Sequence, residues 1–382
     1  MTGPGAAADT AAPAGPRVGE VLLGAAGACG IELPGEDTLA TAQRLGFGQA
    51  RQVCVVLVDG LGWHNLADRA GHAPFLAGTE PAQARATFPS TTATNLAYLG
   101  TGREGGQTGM LGYTVRDHDG RLLNLVSWNR HVDPLQWQPV PTVFERMAEV
   151  DRVAVSVGPW RFAESGLTLA ALRGSEYSPA QSLAQRVDSA LSHLRDPEVD
   201  LVYLYWGEVD SAGHQHGWRS QRWTDELRST DAELDRLARR MPPGTLLVIT
   251  ADHGMVDVPL TERTDVAEHA VLSQDVDLVA GEPRAVHLYT RPARAEAVAR
   301  RWQDLLGDRA EVLTREQVIG ADLVGPVAPA MRRVIGDVLV IARGQHAIQD
   351  TSAGPVKGSP MIGMHGARTE AEMTVPLITI SG

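Results

Sequence analysis

The run Gln52-Val-Cys-Val-Val-Leu-Val58 is followed at once by Asp59-Gly60. From Val53 onward it is continuously apolar, with no alternation that would leave one face to water. A strand of this kind is buried on both faces, as in a sheet lying between two layers of helices. Comparable runs recur along the chain: VAVSV (153–157), LVYLYW (201–206), TLLVIT (245–250) and the closing TVPLITI (374–380). Helical stretches stand between them, SPAQSLAQRVDSALSHL (178–194) and SQRWTDELRSTDAELDRLARRM (220–241). This alternation predicts an α/β fold in three layers around a mostly parallel sheet.

Residues 268–340 break the rhythm. AVHLYT, the helical PARAEAVARRWQDLLG and AEVLT form a small α+β unit, read as an insert or cap. The core is then expected over 35–267 and 341–382, with GDVLVIA (336–342) leading back to it. Residues 1–34 are expected to be a mobile tail and lead-in, because the Ala/Pro/Gly bias at the start gives little to bury. With 382 residues, one large domain with an insert fits better than several domains.

Lys+Arg 34 against Asp+Glu 46 gives a net charge of -12, which disfavours nucleic-acid polymers and anionic membranes as partners. A small phosphorylated substrate is compatible with that surface if a local positive centre overrides the field. Cys29 and Cys54 do not form a disulfide framework. No apolar run is long enough to span a bilayer, and the first residues lack a basic start followed by an apolar block. A cytoplasmic location is the expectation.

Three of the apolar runs end in acids. Asp59 closes the first, Asp210 follows LVYLYW, and Asp252-His253 follow TLLVIT. The carboxyl ends of strands are where open α/β sheets gather functional groups. In DSAGHQHG, Asp210 and His214 are four apart, which on a helical turn aims both at one point, while His216 points elsewhere. GMHGA offers His365 between glycines. Singly, each has an ordinary reading as a turn residue, a helix cap or a surface histidine. Together, three Asp and three His suit two borderline cations such as zinc better than magnesium, which prefers oxygen ligands alone. Two such ions can clamp the attacking and leaving oxygens of a displacement at phosphorus. The stretch ATFPSTTATN (86–95) follows a strand-like QARATF and opens a helical TATNLAYLG. A hydroxyl at that helix start meets free N–H groups and the positive end of the dipole, which suits a phosphoryl group.

VLVDGLG, FPSTTATNLAYLGTG, WGEVDSAGHQHG, ITADHGM and GMHG, in that order, resemble the alkaline phosphatase superfamily, and most its nucleotide pyrophosphatase/phosphodiesterase branch. The resemblance implies an alkaline-phosphatase-like α/β/α core, two zinc ions and a covalent phospho-threonine or phospho-serine intermediate. Carried over, one metal would be held by Asp59, Asp252, His253 and the nucleophile, the other by Asp210, His214 and His365. Counting back from Thr101-Gly102 puts the nucleophile at Thr92, with Thr91 next and Thr87, directly before Phe-Pro, behind. The family's phosphoryl-binding asparagine falls here on Tyr113. The absence of an identifiable third metal site leans toward diesters over monoesters. The expected activity is therefore two-metal hydrolysis of phosphodiester or nucleotide pyrophosphate bonds. A phosphomonoesterase, phosphonate hydrolase or phosphomutase of the same superfamily is the alternative, and a non-catalytic binding protein the alternative of another class. Trp160, Trp218 and Tyr177 are candidates to stack a base.

Overall fold

A computed structural model describes residues 15–128, 131–352 and 360–382. Most of the expected tail, residues 1–14, lies outside the described residues.

Seven strands make the main sheet, in the order Ala82–Arg85, Thr374–Ser381, Thr245–Thr250, Gln52–Val58, Leu201–Trp206, Ala154–Gly158, Glu176–Pro179. All ladders are parallel except the two made by Thr374–Ser381. Every residue of Gln52–Val58 and of Thr245–Thr250 is buried, as continuous apolar strands require. One group of helices comprises Val21–Ala28, Thr92–Thr101 and Val143–Ala148, and another Leu183–His193, Glu208–His216 and Gln221–Arg240. The result is a mixed α/β fold with a large, mostly parallel sheet.

Two features depart from the sequence reading. Val18–Ala28, within the expected lead-in, is a short 3-10 turn running into a helix with no exposed face. Gly27 there packs so closely that a Cβ would stand 1.9 Å from the Thr38 carbonyl oxygen. Small residues serve close helix packing here, where their composition reads as a tail.

The second departure is the end of the insert. Its four-stranded antiparallel sheet runs Val276–Glu282, Ala285–Thr290, Val338–Ala342, Ala310–Thr314, so the expected boundary at residue 340 cuts its third strand. Val338, Val340 and Ala342 pack with the helix Ala295–Leu306 through Val298, Trp302 and Leu306. Leu339 and Ile341 belong to the main core. The strand is apolar on both faces because it serves two cores, and in sequence it looks like any core strand.

The three central parallel strands bring their carboxyl ends together. Leu57 is paired with both Thr250 and Tyr205, and the Asp59 N–H donates to the Trp206 carbonyl at 2.8 Å. Asp59, Asp252-His253 and the helix that carries Asp210 and His214 therefore emerge side by side.

Candidate metal centre and nucleophile

Asp59 follows its strand with no intervening residue, and Gly60 makes the turn at φ +74°. A side chain at Gly60 would be strained in that conformation and would meet Asp210, with Cβ 2.9 Å from Oδ1. The Gly60 N–H donates to Asp252 Oδ1 at 3.2 Å, tying two neighbouring strand ends together. On the helix Glu208–His216, Asp210 and His214 face each other, Oδ2 to Nε2 at 3.2 Å, as their spacing predicts. His216 is exposed. His365 joins them from the loop after Gly363–Met364, its Nε2 3.3 Å from His214 Nε2 and 3.9 Å from Asp210 Oδ1. Its ring stacks on His253, centroids 3.7 Å apart.

The three imidazoles share one arrangement. Each Nδ1 lies against a backbone carbonyl: His214 on Gly363 at 2.8 Å, His253 on Gly254 at 3.1 Å, His365 on Ser90 at 2.9 Å. A carbonyl only accepts, so Nδ1 carries the hydrogen, and in the neutral ring Nε2 turns a lone pair inward. The inward lone pairs meet carboxylates: His253 Nε2 lies 3.4 Å from Asp252 Oδ2 and 3.5 Å from Asp59 Oδ1. Asp210 Oδ1 and Asp252 Oδ2 are buried with no hydrogen-bond partner among the described residues. Lone pairs facing carboxylates, with orphaned buried oxygens, are costly without a cation between them. The donor set of imidazole nitrogen and carboxylate oxygen fits a zinc-like ion.

The ionisation of these groups carries the same strain. Burial, then the charges of Asp252 and Asp210, pushes Asp59 well above the usual carboxylate range. Burial also raises Asp252, with His253 opposing and Asp210 adding to the rise. Burial alone would raise Asp210 too, but His214, His365 and His253 hold it below its ordinary value. Burial and the two other imidazoles push His365 well below the usual histidine range.

Two groupings of ligand atoms fall within 4.8 Å, Asp210 with His214 and His365, and Asp59 with Asp210 and His253. Asp210 thus stands between the two, where the resemblance gives it to one. Asp252 reaches the second grouping through His253.

Three threonines competed for the nucleophile, and their surroundings differ. Thr87 is 2% exposed and its hydroxyl donates to Glu104 at 3.1 Å. Thr91 is equally buried and is the N-cap residue of the helix Thr92–Thr101. Thr92, the first helical residue, is half-buried, with Oγ1 3.2 Å from His253 Nε2 and 3.5 Å from Asp59 Oδ1. The elbow is locked by Asn95, which accepts from the Thr87 N–H and donates to the carbonyls of Thr87, Pro89 and Thr91.

Beside Thr92 opens a mostly apolar cavity of about 80 Å³, walled by Leu96, Phe162, Leu172, Tyr177, Tyr203 and Tyr205. Of the stacking candidates, Tyr177 lines this cavity, Trp160 is 71% exposed and Trp218 is buried. Tyr113 is 45% exposed and its hydroxyl has no hydrogen-bond partner among the described residues. Its backbone N–H donates to Glu282 Oε2 at 2.9 Å.

Several residues of the site carry no sequence signal that marks them. The Tyr205 hydroxyl donates to Asp59 Oδ2 at 2.5 Å. Ser90 accepts from Gly366 and donates to Ala367, seating the His365 loop. Glu282 reaches in from the insert, buried, with no partner for Oε1 among the described residues. Burial pushes its carboxyl from 4.5 to about 8, although the nearby Thr91 hydroxyl and the Tyr113 N–H favour the charged form.

The sequence profile of the Type I phosphodiesterase / nucleotide pyrophosphatase family matches residues 53–368, most of the chain. The chain belongs to this family. Among curated relatives, ectonucleotide pyrophosphatase/phosphodiesterase family member 7 of Rattus norvegicus is 38% identical over 77 residues, 19% of this chain and 18% of the relative. Phosphopentomutase of Anaeromyxobacter dehalogenans is 33% identical over 132 residues, 33% of this chain and 30% of the enzyme. These matches span less than a third of either relative's length. The folds agree more widely than the sequences. Murine ectonucleotide pyrophosphatase / phosphodiesterase 5 superposes with a TM-score of 0.69 at 16% identity, covering 87% of this chain and 88% of that one. Phosphonoacetate hydrolase from Sinorhizobium meliloti 1021, in complex with phosphonoformate, gives 0.66 at 18%, covering 86% and 90%. The candidate cluster lies wholly within the part of the chain that the Type I phosphodiesterase profile covers.

Proposed function

We propose that the chain hydrolyses phosphodiester or nucleotide pyrophosphate bonds, with Thr92 as nucleophile. The observation that carries this reading is the position of the Thr92 hydroxyl. It sits half-buried at the N-terminus of a ten-residue helix, 3.2 Å from His253 Nε2 and 3.5 Å from Asp59 Oδ1. Asp59, Asp252 and His253 with Thr92 would hold one divalent cation, and Asp210, His214 and His365 the other. Such ions, when bound, favour the ionised hydroxyl and offset the charge on phosphoryl and leaving oxygens.

The chain's own groups then account for binding and orientation. The free N–H groups of the first helical turn face an anion placed at Thr92. Asn95 holds the elbow so that Oγ1, and not the backbone, approaches phosphorus. Thr92 Oγ1 forms the new bond to phosphorus as its proton passes to solvent, and the P–O bond to the departing group breaks, solvent supplying that group's proton. That group leaves as an alcohol or nucleotide. Water then cleaves the phospho-threonine and restores the hydroxyl. The apolar cavity beside Thr92 receives an uncharged substituent of the ester. An inactive variant of murine ectonucleotide pyrophosphatase / phosphodiesterase 5 has been solved in complex with AMP, which makes nucleotides the first natural substrates to try here.

A second reading, phosphomonoester hydrolysis, phosphonate hydrolysis or mutase chemistry, draws on the likeness to phosphonoacetate hydrolase and the partial matches to phosphopentomutase. A chromogenic phosphodiester and its monoester, assayed side by side on zinc-loaded and chelator-stripped protein, separate the readings. Fast, zinc-dependent diester cleavage is the expected result. Cleavage of the monoester alone moves the chain to the second reading, and cleavage of neither favours a binding protein.

A further inference from the structure

The Asp59 carboxylate is divided between two tasks. Its Oδ2 accepts the Tyr205 hydroxyl at 2.5 Å. Its Oδ1 faces the other way, 3.5 Å from both Thr92 Oγ1 and His253 Nε2. A phenol is a donor at neutral pH, and the carboxylate oxygen that accepts its bond keeps only one of its two lone pairs, which leaves Oδ1 the more open oxygen.

Tyr205 is itself held. It lies in the central strand Leu201–Trp206, in register with Leu57, two residues before Asp59. Phe162 meets its ring edge-on, with centroids 5.8 Å apart and planes at 81°. Gly207 leaves room for the hydroxyl, since a Cβ there would stand 2.9 Å from it. The strand pairing and the Phe162 ring together place the phenol against Oδ2.

We infer that Tyr205 is a positioning residue that leaves Asp59 one free oxygen, Oδ1, and so sets how Asp59 meets a divalent cation at the Thr92 end of the cluster. This rests on the reading of the cluster as a metal centre. An unrestrained carboxylate can turn and bind through both oxygens, crowding the position that Thr92 and a phosphoryl oxygen must share. With Oδ2 tied to Tyr205, Asp59 contributes one bond and holds its orientation whether or not the cation is present. Residues that orient a ligand in this way are commonly worth 10–100-fold in metal affinity.

The test is zinc binding to the full chain, metal-stripped and titrated in competition with a chromophoric chelator, which resolves the number of sites and the affinity of each. Wild-type protein is expected to bind two ions. Tyr205→Phe keeps the ring and removes only the donor. It is expected to weaken one site by roughly 10–100-fold and leave the other within about twofold. Tyr203→Phe removes a buried hydroxyl, from the same strand, that has no partner among the described residues, and is expected to change neither site. Phe162→Leu keeps the hydroxyl but loosens the ring, and is expected to weaken the same single site in case Tyr205→Phe fails to fold. Equal affinities in Tyr205→Phe and wild type would overturn the inference. So would a matched loss at both sites with a lower melting temperature, which would make the residue structural only. A wild-type protein that binds no zinc would overturn the metal-centre reading itself, before the variant is considered.

Discussion

Thr92 Oγ1 and His253 Nε2 lie 3.2 Å apart, and the His253 ring turns its other nitrogen to the Gly254 carbonyl. The hydroxyl therefore faces a lone pair, at a helix start, beside Asp59. Thr92→Ala is expected to lower turnover at least ~10³-fold while zinc still binds at Asp210, His214 and His365. Thr87→Val is expected to leave chemistry within a few-fold and lower the melting temperature, because it strips a buried partner from Glu104. Steady-state kinetics and melting curves on the two variants decide between the threonines. Full activity in Thr92→Ala would end its assignment.

Metal removal should become more damaging as pH rises. Asp59 and Asp252 are raised in the metal-free fold, chiefly by burial. A carboxyl raised on folding contributes stability below its unfolded value and loses it as pH climbs through the folded one. The stripped protein is thus expected to lose stability as pH rises above the ordinary carboxylate range. The loaded protein should not, because the cation takes the place of the protons. Melting temperatures with and without chelator, from pH 5 to pH 8, should diverge upward. A constant gap would contradict the account.

Glu282 follows the same sign without any metal. Its carboxyl goes from 4.5 to about 8 on folding. Its contribution is full below the lower value and drains away toward the upper, at about 1.4 kcal/mol per pH unit. Glu282→Gln keeps an acceptor for the Tyr113 N–H and cannot ionise. Urea unfolding at pH 5 and pH 8 should show a smaller difference for this variant than for wild type.

Arg284 and Glu372 are both wholly buried and meet in two hydrogen bonds, at 2.6 and 2.8 Å. Glu372 also accepts from the Ala367 N–H at 3.0 Å, and the Arg284 guanidinium donates to the His346 carbonyl. The pair pins the insert's first hairpin to the loop that carries His365. Arg284→Met leaves a buried carboxylate without its cation and is expected to cost about 3–5 kcal/mol in denaturant unfolding. A loss below 1 kcal/mol would show that the pair is dispensable.

The sequence made some of this legible for physical reasons. Asp59 and Asp252-His253 could be found because continuous apolar strands announce their own ends, and ligands sit at those ends. Asp210 and His214 could be found because helix periodicity is strict. Tyr205 was hidden inside the same apolar run that revealed its strand, since LVYLYW says nothing about what a phenol reaches. Glu282 lies at a hairpin corner of the insert, and its approach to Thr91 and Tyr113 is purely tertiary. The boundary expected at residue 340 falls inside Val338–Ala342 because two cores demand the same apolar pattern as one sheet between helices. Tyr113 comes from the place of the family's asparagine, and such a match fixes a backbone position without fixing where a hydroxyl points.

The six metal-ligand candidates come from four separate stretches of chain, and His365 is the last of them to be made. A ribosome-bound chain halted before the GMHGA loop already holds Asp210 and His214 but lacks the imidazole that joins them. If that site takes a metal ion, its capture should mark the end of assembly. Followed during refolding, it should lag the formation of the central strands and arrive with the docking of the loop on Ser90.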